Sequence, residues 1–380
     1  MKNLLNSVAS RKTILFLATI LLVCLLLIIF ISSKMIHAEN VRLIGEPHHD
    51  LTTFQMLSSE ATFFLNRNSL QQKNEMAFET ILDVQAGKPL DEILVELQAN
   101  GTVSDLALLR KVLIFTGTDR KILPGKYPIP GRSNILEIAF ILQDANASLI
   151  DFTVLPGWRK EEIAAVLPTS GLSITPQDFL SIVNQPMTDE GLRSLGVTEY
   201  EGFFSPGLYA FRRNINTADF VKSLTNRFQS ELSEEIKAGF TNHGLSISQA
   251  VVLASIIQRE AMKDEEKPII ASVFINRLNI GMPLQSDPTV QYALGFNSEW
   301  GWWKSPLSLD DLQVDSTYNT YIIAGLPPAA ISNPDMASLS AVAFPAETSF
   351  FYFRALCDGS KLHVFSETLE EHINNACPET

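Results

Sequence analysis

The sequence ILDVQAGKPLDEILVEL at residues 81–97 returns in altered form as IDFTVLPGWRKEEIAAVL at residues 150–167. In both copies a short apolar run ends at a Gly turn and is followed by apolar residues spaced for one face of a helix. The copies are offset by 70 residues, so that Val84 and Gly87 correspond to Val154 and Gly157. The pattern predicts a strand, a turn and an amphipathic helix in each copy.

The similarity continues further along the chain, where PGKYPI at 124–129 resembles PGLYAF at 206–211. Each of these stretches precedes a helical pattern, at 135–142 and at 218–228. We therefore predict two related β–α–α–β–α units, at residues 79–150 and 151–243, and an α+β fold for the whole chain. Chance similarity of common strand–turn–helix patterns is the alternative explanation.

The amino-terminal part predicts a membrane anchor. Residues 13–33 form an uncharged apolar run of 21 residues, which as a helix at about 1.5 Å per residue is roughly 31 Å long and matches a hydrocarbon core of about 30 Å. A cleaved signal peptide and a buried helix are the alternatives, but a signal sequence has a shorter apolar region. Lys2, Arg11 and Lys12 precede the run and only Lys34 follows closely, which predicts a single-pass protein of the cytoplasmic membrane. Residues 1–12 would be a cytoplasmic tail, and everything after the span would be extracytoplasmic.

Composition excludes several classes of function. Apolar residues make up 46% of the chain, enough for a sizeable core, and the net charge of −13 argues against nucleic acid as a partner. The three cysteines are too few for a disulfide framework or a structural zinc domain. Cys24 lies in the span, whereas Cys357 and Cys377 lie in the exported part, where their spacing leaves both a disulfide and two free thiols open.

The regions on either side of the paired units differ in character. Residues 34–78 lack a sustained period and are interpreted as a stalk or linker with a short helix at 53–65. Residues 244–380 predict a helix capped by Ser246 or Ser248, a second helix at 264–278, and a turn-rich segment. A β-hairpin with Asp358 and Gly359 in its turn follows.

Glu260 is the strongest candidate for chemistry. The common nucleophile, zinc and nucleotide-binding motifs are absent, so no cofactor or metal is expected. Glu260 ends a helix whose residues 251–257 are almost wholly apolar, and a poorly hydrated carboxyl group has a raised pKa that suits proton transfer near neutrality. The alternative is an exposed glutamate paired with Arg259 or Lys263.

Polar and aromatic side chains in the following segments are typical of sugar-binding clefts. The substrate-binding candidates are Asn276, Gln285, Ser286, Asp287, Tyr318, Asn319, Thr320 and Tyr321. Trp300, Trp302 and Trp303 are predicted either to stack on sugar rings or to anchor a surface loop.

Five stretches carry a specific resemblance: ASIIQRE at 254–260, ASVFINRL at 271–278, IGMPLQSDPTVQYALG at 280–295, YNTYIIAGLPP at 318–328 and ISNP at 331–334. Together they resemble the endolytic murein transglycosylases, the MltG or YceG-like family. The resemblance implies a single-span anchor, a LysM-like subdomain at 79–150 and a catalytic domain at 244–380. It also implies cleavage of the β-1,4 bond between N-acetylmuramic acid and N-acetylglucosamine in nascent peptidoglycan, which leaves 1,6-anhydro ends and stops strand elongation.

The same resemblance assigns the catalytic role to Glu260 and implies association with glycan-polymerising synthases of the elongation or division machinery. Three positions depart from the family pattern, where Gly207, Ala329 and Phe344 replace Asp, Gly and Asn. They leave open an alternative in which the chain is a weak or inactive wall-binding scaffold. His363 and His372 are predicted to be either substrate contacts or ordinary hairpin and surface residues.

Overall fold

The computed structural model describes the backbone of residues 2–76, 78–144 and 146–377, with side chains from Phe16 onward. It divides into two units, Met1–Leu149 and Ile150–Thr380. Helices and strands occur in both, so the α+β class predicted from the sequence is confirmed.

The first unit begins with a long helix and continues with a mixture of helices and strands. Its elements are α1 (Lys2–Ile44), α2 (Thr53–Leu65), α3 (Arg67–Gln71), β1 (Thr80–Val84), α4 (Leu90–Ala99), α5 (Leu106–Thr116), β2 (Gly125–Ile129) and α6 (Ile135–Gln143).

Helix α1 contains the apolar run. Its segment Phe16–Ile44 has a mean hydropathy of 2.9 over its most apolar window and is long enough to cross a bilayer. The side chains of that window are exposed rather than packed against the protein, as expected for a helix whose apolar surface faces lipid. The helix therefore fits a single-pass anchor.

The segment interpreted as a stalk is instead folded into the first unit. Helix α1 does not stop at the end of the apolar run, and its carboxy-terminal part contacts α2 through the Nδ1 of His37, which lies 2.5 Å from the Oε1 of Glu60. Phe63 and Leu70 are buried in the same core as Ile44. Burial of these apolar side chains explains why the helix predicted at 53–65, and the short α3 after it, pack into the unit instead of standing apart as a linker.

Strands β1 and β2 pair antiparallel, with Thr80 opposite Ile129 and Val84 opposite Gly125. Alternate side chains of β1 point inward, so Leu82 and Val84 are buried.

The second unit carries the remaining elements. They are β3 (Leu149–Val154), α7 (Lys160–Ser170), α8 (Pro176–Val183), α9 (Glu190–Ser194), β4 (Gly207–Arg212), α10 (Thr217–Glu231), α11 (Glu234–Asn242), α12 (Ile247–Glu260), α13 (Lys267–Asn279), α14 (Asp287–Leu294), α15 (Met336–Ala343), β5 (Tyr352–Ala355), β6 (His363–Ser366) and α16 (Leu369–Asn374).

The order of elements is similar in the two segments that the sequence pattern relates. The first runs β1, α4, α5, β2, α6, and the second runs β3, α7, α8, β4, α10. The second also contains the short helix α9, in the stretch where its sequence is longer. A common origin of the two segments, and a LysM-like character of the first, stay predictions.

Helix α12 lies at the centre of the second unit. Ser246 is its N-cap, in a capping box with Gln249, and every residue from Ala250 to Ile257 is buried. Such a helix needs apolar residues on all sides, which explains its nearly uninterrupted apolar sequence. Pro268 lies in the first turn of α13, where its missing N–H costs no helical hydrogen bond.

The carboxy-terminal segment forms the predicted hairpin. Strands β5 and β6 pair antiparallel, with Tyr352 opposite Ser366 and Ala355 opposite His363. Cys357 and Cys377 form a disulfide with their Cα atoms 5.6 Å apart, which resolves the alternative that the sequence left open.

Candidate active site

Glu260 ends the buried helix α12 at a cleft of about 530 Å³ in the second unit. Its side chain is only partly exposed, because the helix brings it out of the core at its last residue. The cleft is lined by Glu260, Arg277, Leu284, Gln285, Asp287, Tyr321, Tyr352, Phe353, Arg354, Ala355, His363, Leu369 and His372.

The carboxyl group of Glu260 has a defined hydrogen-bond partner. The Oγ of Ser286, a residue only 1% exposed, donates to its Oε1 at 2.5 Å. Ser286 is itself fixed, because its backbone N–H donates to the Oγ1 of Thr320 at 3.0 Å and the preceding Gln285 N–H donates to the Thr320 carbonyl at 3.1 Å. Gln285 has a left-handed backbone (φ 49°), a strained conformation that aims Ser286 at the end of α12.

Burial raises the pKa of Glu260 to about 7. The hydrogen bond from Ser286 lowers this pKa, the negative charge of Asp287 raises it, and the charges of Arg277 and Arg259 lower it. Desolvation is the largest of these effects, since a carboxylate loses hydration in a partly apolar site. Near neutrality the group is therefore present in both its protonated and its ionised form.

The structure brings four of the predicted substrate-binding residues to Glu260 or to the cleft. Ser286 contacts Glu260, whereas Gln285, Asp287 and Tyr321 line the cleft. The hydroxyl of Tyr321 donates to the Oδ1 of Asp287 at 2.6 Å, so the two side chains form one polar wall. Burial and the neighbouring Asp287 raise the pKa of Tyr321, which keeps its hydroxyl protonated.

The other four predicted residues contact the protein rather than the cleft. Asn276 donates to the carbonyls of Thr348 and Phe350, and Asn319, which is fully buried, donates to those of Leu312 and Val314. Thr320 supports Ser286, as described above. The ring of Tyr318 packs 4.7 Å from that of Tyr292. Because an amide can bind a sugar hydroxyl or a backbone carbonyl equally well, composition alone did not separate these roles.

These positions belong to a segment that matches a family model. Residues 82–377 fit the model of the YceG-like family. The chain belongs to the YceG-like family. Over 215 residues it is 37% identical to the endolytic murein transglycosylase of Bacillus subtilis, a match that covers 56% of each chain.

Other comparisons agree on the family. A 193-residue stretch is 26% identical to the endolytic murein transglycosylase of Streptococcus pneumoniae serotype 2, covering 50% of this chain and 33% of the relative. A crystal structure of a YceG-like protein from Listeria monocytogenes superposes with a TM-score of 0.53 at 25% identity, over 78% of this chain and 98% of that one. The chain spans about half or less of the length of the curated relatives that it matches.

Two arginines of the YceG-like cleft escaped the sequence reasoning. Arg277 is 6% exposed, and its guanidinium donates to the carbonyls of Phe351 and Leu284, both at 2.6 Å. Arg354 lies on strand β5 and enters the same cleft. Arg277 directly follows Asn276, a predicted site residue on the same helix, and this neighbourhood could have indicated a role for Arg277 in the site. No pattern in the sequence around Arg354 indicated that it lines the cleft.

The two histidines near the carboxy terminus both line the cleft. The Nδ1 of His363 lies 2.9 Å from the Oε2 of Glu266, so one ring nitrogen already has a partner. His372 stacks on Tyr352 at 5.4 Å between ring centroids, and burial together with the charges of Arg354 and Arg277 lowers its pKa.

The tryptophan segment contacts two arginines, Arg159 at the start of α7 and Arg259 near the end of α12. The guanidinium of Arg259 lies 3.8 Å from the ring of Trp303, and that of Arg159 lies 4.8 Å from Trp302. The indole N–H of Trp303 also donates to Glu162 at 3.1 Å. Trp302 and Trp303 thus make the contacts expected of loop anchors.

The three departures from the family pattern lie outside the residues that line this cleft. A Cβ at Gly207 would meet the guanidinium of Arg227 at 2.5 Å, so that arginine occupies the space of the usual side chain. Phe344 is 46% exposed at the end of α15. None of the three substitutions alters the surroundings of Glu260.

Metal-ligating groups do not converge in the cleft among the described residues. Among the described residues, one group has side-chain ligand atoms close enough together to hold a metal ion. It lies in the first unit and consists of His48, His49 and Asp50, of which His49 and Asp50 are exposed.

Proposed function

We propose that this YceG-like chain is a membrane-anchored endolytic lytic transglycosylase that cleaves the β-1,4 bond between N-acetylmuramic acid and N-acetylglucosamine in nascent peptidoglycan. The observation that carries the proposal is the Glu260 carboxyl group, held by Ser286 at a polar cleft with a pKa of about 7. The names of the two curated relatives support the same substrate.

A single carboxyl group with this pKa can perform both proton transfers. Protonated Glu260 donates its proton to the glycosidic oxygen as the bond from C1 of the muramic acid breaks. The resulting carboxylate then removes the proton from the C6 hydroxyl of the same sugar, whose oxygen bonds to C1. The product is a 1,6-anhydro end, no water is consumed, and Glu260 regains its proton.

The polar wall formed by Asp287 and Tyr321 would act through its charge and by orienting the sugar. The carboxylate of Asp287 is exposed in the cleft, where its negative charge would stabilise the positive charge that develops on the sugar ring in the transition state. Tyr321 fixes one oxygen of that carboxylate. Gln285 is exposed beside them and has an amide available for sugar hydroxyls.

The membrane anchor would determine where in the cell the proposed reaction takes place. If α1 spans the cytoplasmic membrane with its amino terminus inside, the cleft lies in the extracytoplasmic layer where new strands emerge. In this proposal cleavage limits strand length, residues 79–150 act as a LysM-like glycan-binding subdomain, and glycan-polymerising synthases are partners.

The test is digestion of purified peptidoglycan by the full-length chain in detergent, followed by mass analysis of the released ends. We expect 1,6-anhydro ends from the wild type and none from Glu260→Gln. Glu265→Gln is the matched control, because it removes the same charge from an exposed residue nearby. Hydrated reducing ends would instead show a hydrolase, with water activated in the cleft, and full activity of Glu260→Gln would refute the assigned acid.

A scaffold that only binds the cell wall is the second candidate, and the departures at 207, 329 and 344 favoured it. Their position away from the cleft residues weakens that argument. Tight glycan binding by the wild type without any cleavage product would nevertheless establish it.

A further inference from the structure

Arg277 and Arg354 place two positive charges in the wall of the cleft. Both arginines line the cavity that contains Glu260. Within the described residues neither arginine forms an ion pair with a carboxylate, and their hydrogen bonds go to backbone carbonyls. An unpaired cation in a cleft is unusual in a chain whose net charge is −13, because acidic partners are plentiful.

The two arginines differ in what they have left to offer a ligand. Arg277 is 6% exposed and donates to three carbonyls, those of Phe351, Leu284 and Pro283, so it holds the hairpin against the wall. Arg354 is partly exposed, and within the described part of the chain its side chain makes one hydrogen bond, from its Nη1 to the carbonyl of His372 at 3.1 Å. A guanidinium has five N–H donors, so most of those of Arg354 remain available.

The neighbours of Arg354 hold this end of the cleft in place. Burial, followed by the charges of Arg354 and Arg277, lowers the pKa of His372. Tyr352, two residues before Arg354 on β5, stacks on the His372 ring. The disulfide between Cys357 and Cys377 ties the hairpin to the segment that follows α16.

We propose that Arg354 binds a carboxylate carried by the muramic acid substituent of the glycan strand, and so determines which strands the cleft accepts. The inference rests on the proposed function, because it takes the strand as the ligand. The sugars themselves are neutral, so a carboxylate can come from two sources, the free lactyl group of a strand without peptide or the acidic groups of a stem peptide. Either one matches the planar, forked geometry of a guanidinium.

The experiment compares the full chain with Arg354→Gln and Arg354→Lys on three kinds of strand. The strands carry stem peptides, or are stripped of peptide to leave lactyl carboxylates, or have every carboxyl group converted to a neutral amide. Arg193→Gln is the matched control, since it removes the same charge from an exposed residue outside the cleft lining. The measurements are KM and kcat, and the dissociation constant of each strand in a Glu260→Gln background.

We expect Arg354→Gln to raise KM and the dissociation constant about tenfold on strands with the recognised carboxylate. Arg354→Lys should raise them less, because it keeps the charge. On fully amidated strands the wild type and Arg354→Gln should be equal, and Arg193→Gln should behave as the wild type throughout. A tenfold loss on peptide-bearing strands alone identifies the stem peptide, and the same loss on stripped strands identifies the lactyl group.

Two results would overturn the inference: an equal loss on amidated strands, which would show a structural role for Arg354, or no loss on any strand. Because binding is measured in the Glu260→Gln background, charge-dependent binding remains visible even if the wild type cleaves nothing. In that case the proposed reaction fails while the carboxylate site stands.

Discussion

Replacing Ser286 by Ala tests the assigned acid through its pKa. The Ser286 hydroxyl donates to the Oε1 of Glu260 at 2.5 Å and lowers the pKa of Glu260. Burial, the larger effect, raises it, and with both effects present this pKa is about 7. The Ser286 side chain does not cap α14, so its removal does not cost that helix a capping hydrogen bond. The variant therefore changes one contact of the carboxyl group and little else.

The magnitude follows from the strength of a hydrogen bond to a charged group. Such a bond is worth about 1.5–3 kcal/mol, and one pKa unit corresponds to about 1.4 kcal/mol. Because water can enter the cleft and replace part of the lost bond, we take the lower end. The pKa of Glu260 in Ser286→Ala should rise by about one unit, to roughly 8.

The assay is the pH dependence of kcat/KM, measured by release of soluble glycan fragments. Since bond cleavage needs protonated Glu260, the wild-type rate should fall as pH rises through about 7, and the Ser286→Ala rate should fall about one pH unit later. Difference infrared spectra against Glu260→Gln give the same titration without relying on activity. Ser272→Ala, which removes a buried hydroxyl that bonds to Ile269 and Thr348, is the control and should not move the midpoint.

An unchanged or lowered midpoint in correctly folded Ser286→Ala would refute the reasoning. It would mean that the hydroxyl does not stabilise the ionised carboxyl group, or that the activity reports another residue.

Three further predictions concern stability. Burial raises the pKa of Glu201 to about 8, so the folded state binds a proton more tightly than the unfolded state and loses stability as pH rises from about 4.5 to 8. Glu201→Gln should flatten that dependence in urea unfolding curves, and an unchanged slope with pH would contradict it. Lys267, only 2% exposed, pairs with Asp335 at 2.8 Å, and Lys267→Met should lower the free energy of unfolding by about 3 kcal/mol, because it leaves the Asp335 carboxylate without its cation. Equal denaturation midpoints would sink that prediction. Reducing the disulfide between Cys357 and Cys377, which closes a loop of 20 residues, should cost about 3 kcal/mol in the same assay and raise KM, because α16 lines the cleft. If reductant changed neither quantity, the disulfide would have no part in holding that wall.

The sequence predicts the bounds of helices and strands accurately where those bounds depend on neighbouring residues. The hydroxyl at Ser246 and the amide at Gln249 form a capping box, so the start of α12 follows from four neighbouring residues. The helix at 53–65 was anticipated at its observed bounds, but its burial was not. Whether Phe63 faces solvent or a core depends on how α2 packs against α1 and against α5, whose Phe115 ring contacts the Phe63 ring and is distant in sequence.

The amino-acid sequence by itself determined the apolar run of α1, the helix that ends at Glu260, the hairpin turn at Asp358 and the kinds of side chain available for chemistry. These depend on hydrophobic period, capping and turn preferences, each of which acts over a few residues. Only the tertiary structure decided that Ser286 bonds to Glu260, that Asn319 is a buried support, and that Arg354 enters the cleft. Ser286 and Glu260 are 26 positions apart in the chain, and Arg354 reaches the same cleft from a separate strand. Side-chain packing across separate helices and strands selects which polar groups meet.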